Sequence, residues 1–144
     1  MTSTPDDAAV SAWVALARAY RLAFATFEAQ LKAESLPPMA WYDALWELEK
    51  AGEAGLRPFE LEQAMLFEQY NLSRLVERLA RAGLVERCAC PEDRRGQVLS
   101  ITAEGKAMRA RMWRVYGEAL AETIGGRLDD GELRLLADLL RTLG

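Results

Sequence analysis

Residues 75–105 read LVERLARAGLVERCACPEDRRGQVLSITAEG, and three changes of rhythm within them decide the fold. Up to Gly83 the apolar residues Leu75, Val76 and Leu79 recur at helical spacing, and the glycine suits the position just past a helix C-terminus. Residues 84–88 and 97–101 are short β-rich runs around a polar loop, PEDRRG. Val98 and Ser100 alternate with Leu99 and Ile101, which predicts a two-stranded hairpin. Thr102 is a good N-cap for the helix that follows, with Glu104 near its positive end.

Working upstream, the helix that ends at Gly83 extends back to about residue 68, and a break near Phe67 separates it from a short helix opened by Pro58. That short helix turns Leu61, Ala64 and Met65 inward. Trp41, Ala44, Leu45 and Leu48 mark another helix, between the break at residues 35–38 and the glycines Gly52 and Gly55. Earlier still, Val10, Trp13, Val14, Ala17, Tyr20, Phe24, Phe27 and Leu31 form one long aromatic-rich stripe. Core packing and a subunit interface explain such a stripe equally well. Downstream, Met108, Met112, Val115, Ala119 and Thr123 share a helix that Gly125 and Gly126 stop. Asp129 and Glu132, three apart, resemble a capping box and open a last helix with Leu133, Leu136, Ala137, Leu140 and Leu143.

The expected fold is mainly α with a small β-hairpin wing. A winged helix-turn-helix core over about 37–102 is flanked by helices over about 8–33 and 103–143, in a single domain spanning 1–144. Composition agrees: 144 residues, 51% of them apolar, suffice for one packed domain. There is no histidine, which removes His-based acid–base catalysis, Ser–His and Cys–His pairs and His-ligated metals. We therefore expect no enzyme, no cofactor and no metal. Uncharged runs are too short for a membrane span, and the polar, acidic start MTSTPDDAAV lacks the pattern of a secretory signal. Two cysteines make no disulfide framework, so the expected compartment is the cytoplasm.

In a helix-turn-helix the second helix, here about 68–82, lies in the major groove. Gln69, Tyr70, Asn71, Ser73, Arg74 and Arg78 sit on the side away from the apolar stripe. They are read either as a solvated face or as groups that reach base edges and phosphates. At the wing, Arg94 and Arg95 stand beside Asp93, in either an ordinary charged turn or a pair of guanidiniums for a minor groove with a carboxylate to hold one of them. Residues 68–95 carry six arginines against five acids, while the whole chain has a formal charge of −4. Affinity for nucleic acid comes largely from phosphate neutralisation, so one copy would bind poorly and a dimer is close to a requirement.

The quoted stretch resembles the MarR family of bacterial transcriptional regulators. The resemblance lies in Glu77-Arg78-Leu79-Ala80, Gly83-Leu84-Val85-Glu86-Arg87, Asp93-Arg94-Arg95 and Ile101-Thr102-Ala103-Glu104-Gly105, whose combined spacing over about 30 residues is specific. It implies a homodimer held by the first helix and the last two, with each copy presenting a winged helix to half of a near-palindromic double-stranded DNA site. By the motif, Arg95 would be the minor-groove arginine and Asp93 its anchor, with Ser73 facing phosphate or base and Arg74 following it. The chain departs from the family pattern at Glu68, aligned with the usual serine at the start of the recognition helix, at Pro58-Phe59, and at the bulky Phe67 and Tyr70.

The resemblance further implies a repressor, released by a small aromatic or phenolic ligand or by a stress signal. Trp13, Tyr20, Trp41, Tyr42 and Trp46 are candidates to line such a pocket, against the alternative that they fill the core. Cys88 and Cys90, at i and i+2 of a strand, are either incidental or redox-sensitive beside Arg87. Two competing functions stay open: a winged helix that docks another protein without binding DNA, and a thiol-based redox-sensing regulator.

Overall fold

A computed structural model describes residues 4, 6–90 and 93–144; the side chains of residues 90 and 93–95 lie outside that description. The elements run α1 (Asp7–Ala33), α2 (Met39–Ala51), a 3₁₀ turn (Gly52–Ala54), α3 (Pro58–Ala64), α4 (Leu72–Arg81), β1 (Val85–Cys90) and β2 (Asp93–Ile101). They end with α5 (Ala103–Leu120), a π turn (Ala121–Gly125) and α6 (Asp130–Arg141). The fold is therefore mainly α with a two-stranded antiparallel hairpin, a winged helix-turn-helix with further helices before and after it. No helix among the described residues is long and apolar enough to cross a membrane.

The chain divides into two compact units, residues 31–115 and residues 1–30 with 116–144. In the 31–115 unit, Leu45, Leu48, Leu61, Leu79 and Leu99 are fully buried and hold α2, α3, α4 and the hairpin to one core. Ala64, expected inward on α3, is exposed, because α3 ends there and the chain turns before the next helical position. Met65, in extended backbone just beyond, takes the buried place. The hairpin pairs Val85 with Ile101 and Arg87 with Leu99, up to a bulge at Ala89/Cys90. Its strands reach further toward the tip than the expected 84–88 and 97–101. A third, one-residue strand joins them: Leu56 N–H donates to the Leu99 carbonyl at 2.9 Å, and Leu99 N–H donates back at 2.7 Å.

In the other unit, Ala23, Phe27 and Ala119 are buried, and Phe27 meets Tyr116 edge-on with ring centroids 4.9 Å apart. α6 opens on the expected capping box: Asp129 accepts from Glu132 N–H at 2.8 Å, and Glu132 accepts from Asp129 N–H at 3.1 Å. Val10, Trp13, Val14 and Tyr20 of the long stripe are exposed, as are Leu135 and Leu139 of α6.

Both α1 and α4 end in the same hydrogen-bonded turn. After α4, Leu84 N–H donates to the Leu79 carbonyl and Gly83 N–H to that of Ala80, with Gly83 at φ +78°. After α1, Leu36 N–H donates to Leu31 and Ser35 N–H to Lys32, but the left-handed residue is Ser35, at φ 58°. A serine Cβ crowds the carbonyl in that conformation, where glycine does not. Ser35→Gly is therefore expected to stabilise the protein by about 0.5–1 kcal/mol, read as a thermal midpoint a few degrees higher. An unchanged or lower midpoint would show that unfolded-chain entropy outweighs the relief.

Candidate nucleic-acid interface

α4 buries Leu75, Val76 and Leu79 and leaves Ser73, Arg74, Glu77, Arg78 and Arg81 exposed. Its start differs from expectation. The helix begins at Leu72 instead of about residue 68, because Asn71 is its N-cap: Asn71 Oδ1 accepts from Arg74 N–H at 3.0 Å. Glu68 therefore does not cap the helix, and Gln69 and Tyr70 stand in the turn before it. Gln69 is half-buried and donates through Nε2 to the Phe67 carbonyl at 3.5 Å, whereas the Tyr70 side chain is wholly exposed. Ser73 and Arg74 occupy the first turn of α4, where backbone amides and the helix dipole favour an anion. Arg78 lies one turn on, and Arg81 pairs with Glu77 at 2.8 Å across an exposed surface.

The turn that leads into α4 is tied to α2. Asp43 is buried, and its two oxygens accept from Leu66 N–H at 2.9 Å and Phe67 N–H at 2.8 Å. Burial pushes its carboxyl above the ordinary carboxylate range, against the pull of those two backbone hydrogen bonds. Sequence reading missed this residue. Its one signal is a charge inside the apolar run WYDALW, off the face that Trp41, Ala44, Leu45 and Leu48 mark.

On the wing, Glu86, Arg87, Cys88 and Gln97 are exposed while Val85 and Leu99 point into the core. The backbone of Asp93, Arg94, Arg95 and Gly96 runs in β2, so four of the six residues of the expected polar loop are strand. The side chains of these three residues and of Cys90 lie outside the described ones. The α4 face and the wing belong to the same 31–115 unit.

The aromatic candidates do not form one group. Trp13 and Tyr20 are exposed in the unit built from the two chain ends. In the 31–115 unit, Trp41 is half-buried and Tyr42 is buried, its ring stacked on Trp113 at 6.2 Å. Burial raises the Tyr42 hydroxyl pKa, opposed by a hydrogen bond with Arg109. Trp46 is partly exposed and has two cations near its ring, the Arg109 guanidinium carbon 5.1 Å and Lys50 Nζ 5.4 Å from its centroid. Arg109 also pairs with Glu49 at 2.9 Å. Neither Glu49 nor Arg109 stood out in the sequence, since 60 residues separate them. Among the described residues, no group of three or more His, Cys, Asp or Glu could hold a metal ion.

Comparison with known proteins places this geometry. Residues 35–96 match the MarR family. The chain is 30% identical over 88 residues to the multiple antibiotic resistance protein MarR of Escherichia coli strain K12, covering 61% of each. It is 32% identical over 84 residues to the HTH-type transcriptional regulator PrsX of Escherichia coli, covering 58% of this chain and 51% of that protein. The matched stretch thus spans between about half and three-fifths of these curated relatives. Among solved structures, Sco3205 of Streptomyces coelicolor, a MarR family transcriptional regulator determined in complex with DNA, superposes with a TM-score of 0.88 at 25% identity, over 99% of this chain and 89% of that one. BpsR of Bordetella bronchiseptica, whose DNA binding is regulated by 6-hydroxynicotinic acid, gives 0.80 at 25% identity, over 92% and 98%.

Proposed function

Residues 35–96 match the MarR family of winged-helix regulators, and from that match we propose that the chain is such a regulator, binds double-stranded DNA as a homodimer and represses transcription until a small aromatic or phenolic ligand releases it. The observation that carries the reading is α4 itself: a capped helix with one side in the core and Ser73, Arg74 and Arg78 exposed on the other. Tyr70 and Ser73–Arg74 are the base- and phosphate-facing edge, Gln69 and Asn71 shape the turn behind it, and Arg94 and Arg95 of the wing serve the minor groove with Asp93 as anchor. Two copies place two such edges on successive major grooves, about 34–36 Å apart, which favours a near-palindromic site. A ligand releases DNA only by binding more tightly to a dimer geometry that mismatches that spacing. Trp41, Tyr42 and Trp46 of the 31–115 unit are its candidate contacts.

Selection of bound duplexes from a random pool tests binding, symmetry and half-site spacing together. Binding to the selected duplex is expected to weaken steeply with salt, as phosphate contacts require. Arg74→Ala is expected to weaken it by about 1–3 kcal/mol at fixed salt, and Arg95→Ala by a similar amount. Failure to enrich any duplex, or an affinity indifferent to salt and to Arg74, would turn the reading toward a protein-docking winged helix.

A further inference from the structure

α2 carries one buried charge, and it is spent on the turn between α3 and α4. After α3 the backbone of Met65 is extended, and the next two amides, of Leu66 and Phe67, donate to the two separate oxygens of Asp43. Backbone that has left one helix and not yet entered the next has no ladder to satisfy it, so a side chain must do so. The Leu66 side chain is 74% exposed and does not anchor the segment by packing. Five residues beyond Phe67 α4 begins, and Asn71 secures that end of the turn. One rigid, planar group that accepts at both oxygens fixes the rotation of the peptides it holds as well as their position.

We propose that Asp43 is a positioning residue for α4: its carboxylate sets the peptide planes from which the helix departs, and so aims the Tyr70–Arg74 edge from within α2. This rests on the reading of α4 as the DNA-facing helix. The charge does not serve stability. Burial disfavours the ionised form in the folded chain more than the two hydrogen bonds favour it, so a neutral isostere spares the core a desolvation cost. What the isostere gives up is the second acceptor, because an asparagine side chain turns an NH₂ toward one of the two donors.

The test is Asp43→Asn in the full chain, with thermal unfolding, amide hydrogen exchange, and binding to duplexes that the wild type selects from a random pool. The thermal midpoint is expected to stay within a few degrees. Exchange at Leu66 or Phe67 is expected to quicken about 5–10-fold while Leu61 and Leu79 keep their rates. Affinity is expected to fall about 10–100-fold, with a blurred sequence preference. A residue that merely packs would instead lower the midpoint and move all four amides together. Asp43→Ser, which is smaller and also uncharged, serves as a second variant if the amide perturbs folding. Unchanged exchange at both turn amides, or quickened exchange with wild-type affinity, overturns the proposal. A wild-type chain that selects no duplex refutes the DNA reading instead, and the exchange measurement still decides whether Asp43 holds the turn.

Discussion

Gly55→Ala is expected to cost about 3 kcal/mol or more, a large share of the stability of a small domain, and to appear as a much lower urea midpoint. Two effects add. Gly55 has φ 66° and ψ −170°, a region that side-chain-bearing residues almost never occupy. A Cβ there would also press on the Leu99 carbonyl and approach Val98 Cγ1 to 2.8 Å. That carbonyl is the one that accepts from Leu56 N–H, so the backbone cannot give way without loosening the hairpin from the unit. Gly52 separates the two effects. Its backbone is similarly strained, at φ 69° and ψ −151°, but nothing lies within 4 Å of an added Cβ. Gly52→Ala should therefore cost only the conformational part, about 1–3 kcal/mol. Equal losses at the two positions would show that the close approach at Leu99 contributes nothing.

Leu135→Glu combined with Leu139→Glu is expected to convert a dimer into a monomer at micromolar concentration and to weaken DNA binding by at least ~100-fold, since one copy keeps half the phosphate contacts. The two leucines lie one turn apart on α6, 58% and 57% exposed, and α6 has no buried residue. A helix with so many leucines and so little cover gains little from folding alone; a second copy of the chain supplies the missing contacts in the proposed assembly. Trp13 and Tyr20 of α1, in the same unit, are exposed in the same way. The sign of the stability effect is informative too. Exposed positions tolerate charge within about 0.5 kcal/mol, so a pair of substitutions that leaves both the sedimentation and the unfolding of the protein unchanged would remove this face from the interface.

The parts of the fold that were legible are those whose cause is local. Apolar spacing marks α1, α2 and α5, the capping box at Asp129 marks α6, and Gly83 and Thr102 punctuate the hairpin on either side. Thr102 does so by accepting from Gly105 N–H at 3.0 Å while donating to the Gly83 carbonyl at 2.7 Å. The parts that were not legible depend on partners distant in sequence. The hold of Asp43 on Leu66 and Phe67 spans 23 and 24 residues, and a lone acid among apolar residues carries no period that would reveal it. The same is true of Leu56, whose strand is a single residue, and of the Glu49–Arg109 pair. The start of α4 was misplaced for a subtler reason. Polar residues from Glu68 onward all tolerate a helix, so pattern alone leaves the boundary free, and a hydrogen bond from Arg74 to Asn71 decides it.

The reciprocal bonds between Leu56 and Leu99 make the hairpin a cantilever. It is clamped at its root, while the backbone runs on six residues from Leu99 to Asp93, a reach of about 20 Å at strand spacing. Small tilts at such a clamp grow into displacements of several ångströms at the far end. In the proposed complex, α4 would act as a stiff probe and the hairpin as a compliant one, following a surface whose width varies while its base stays still.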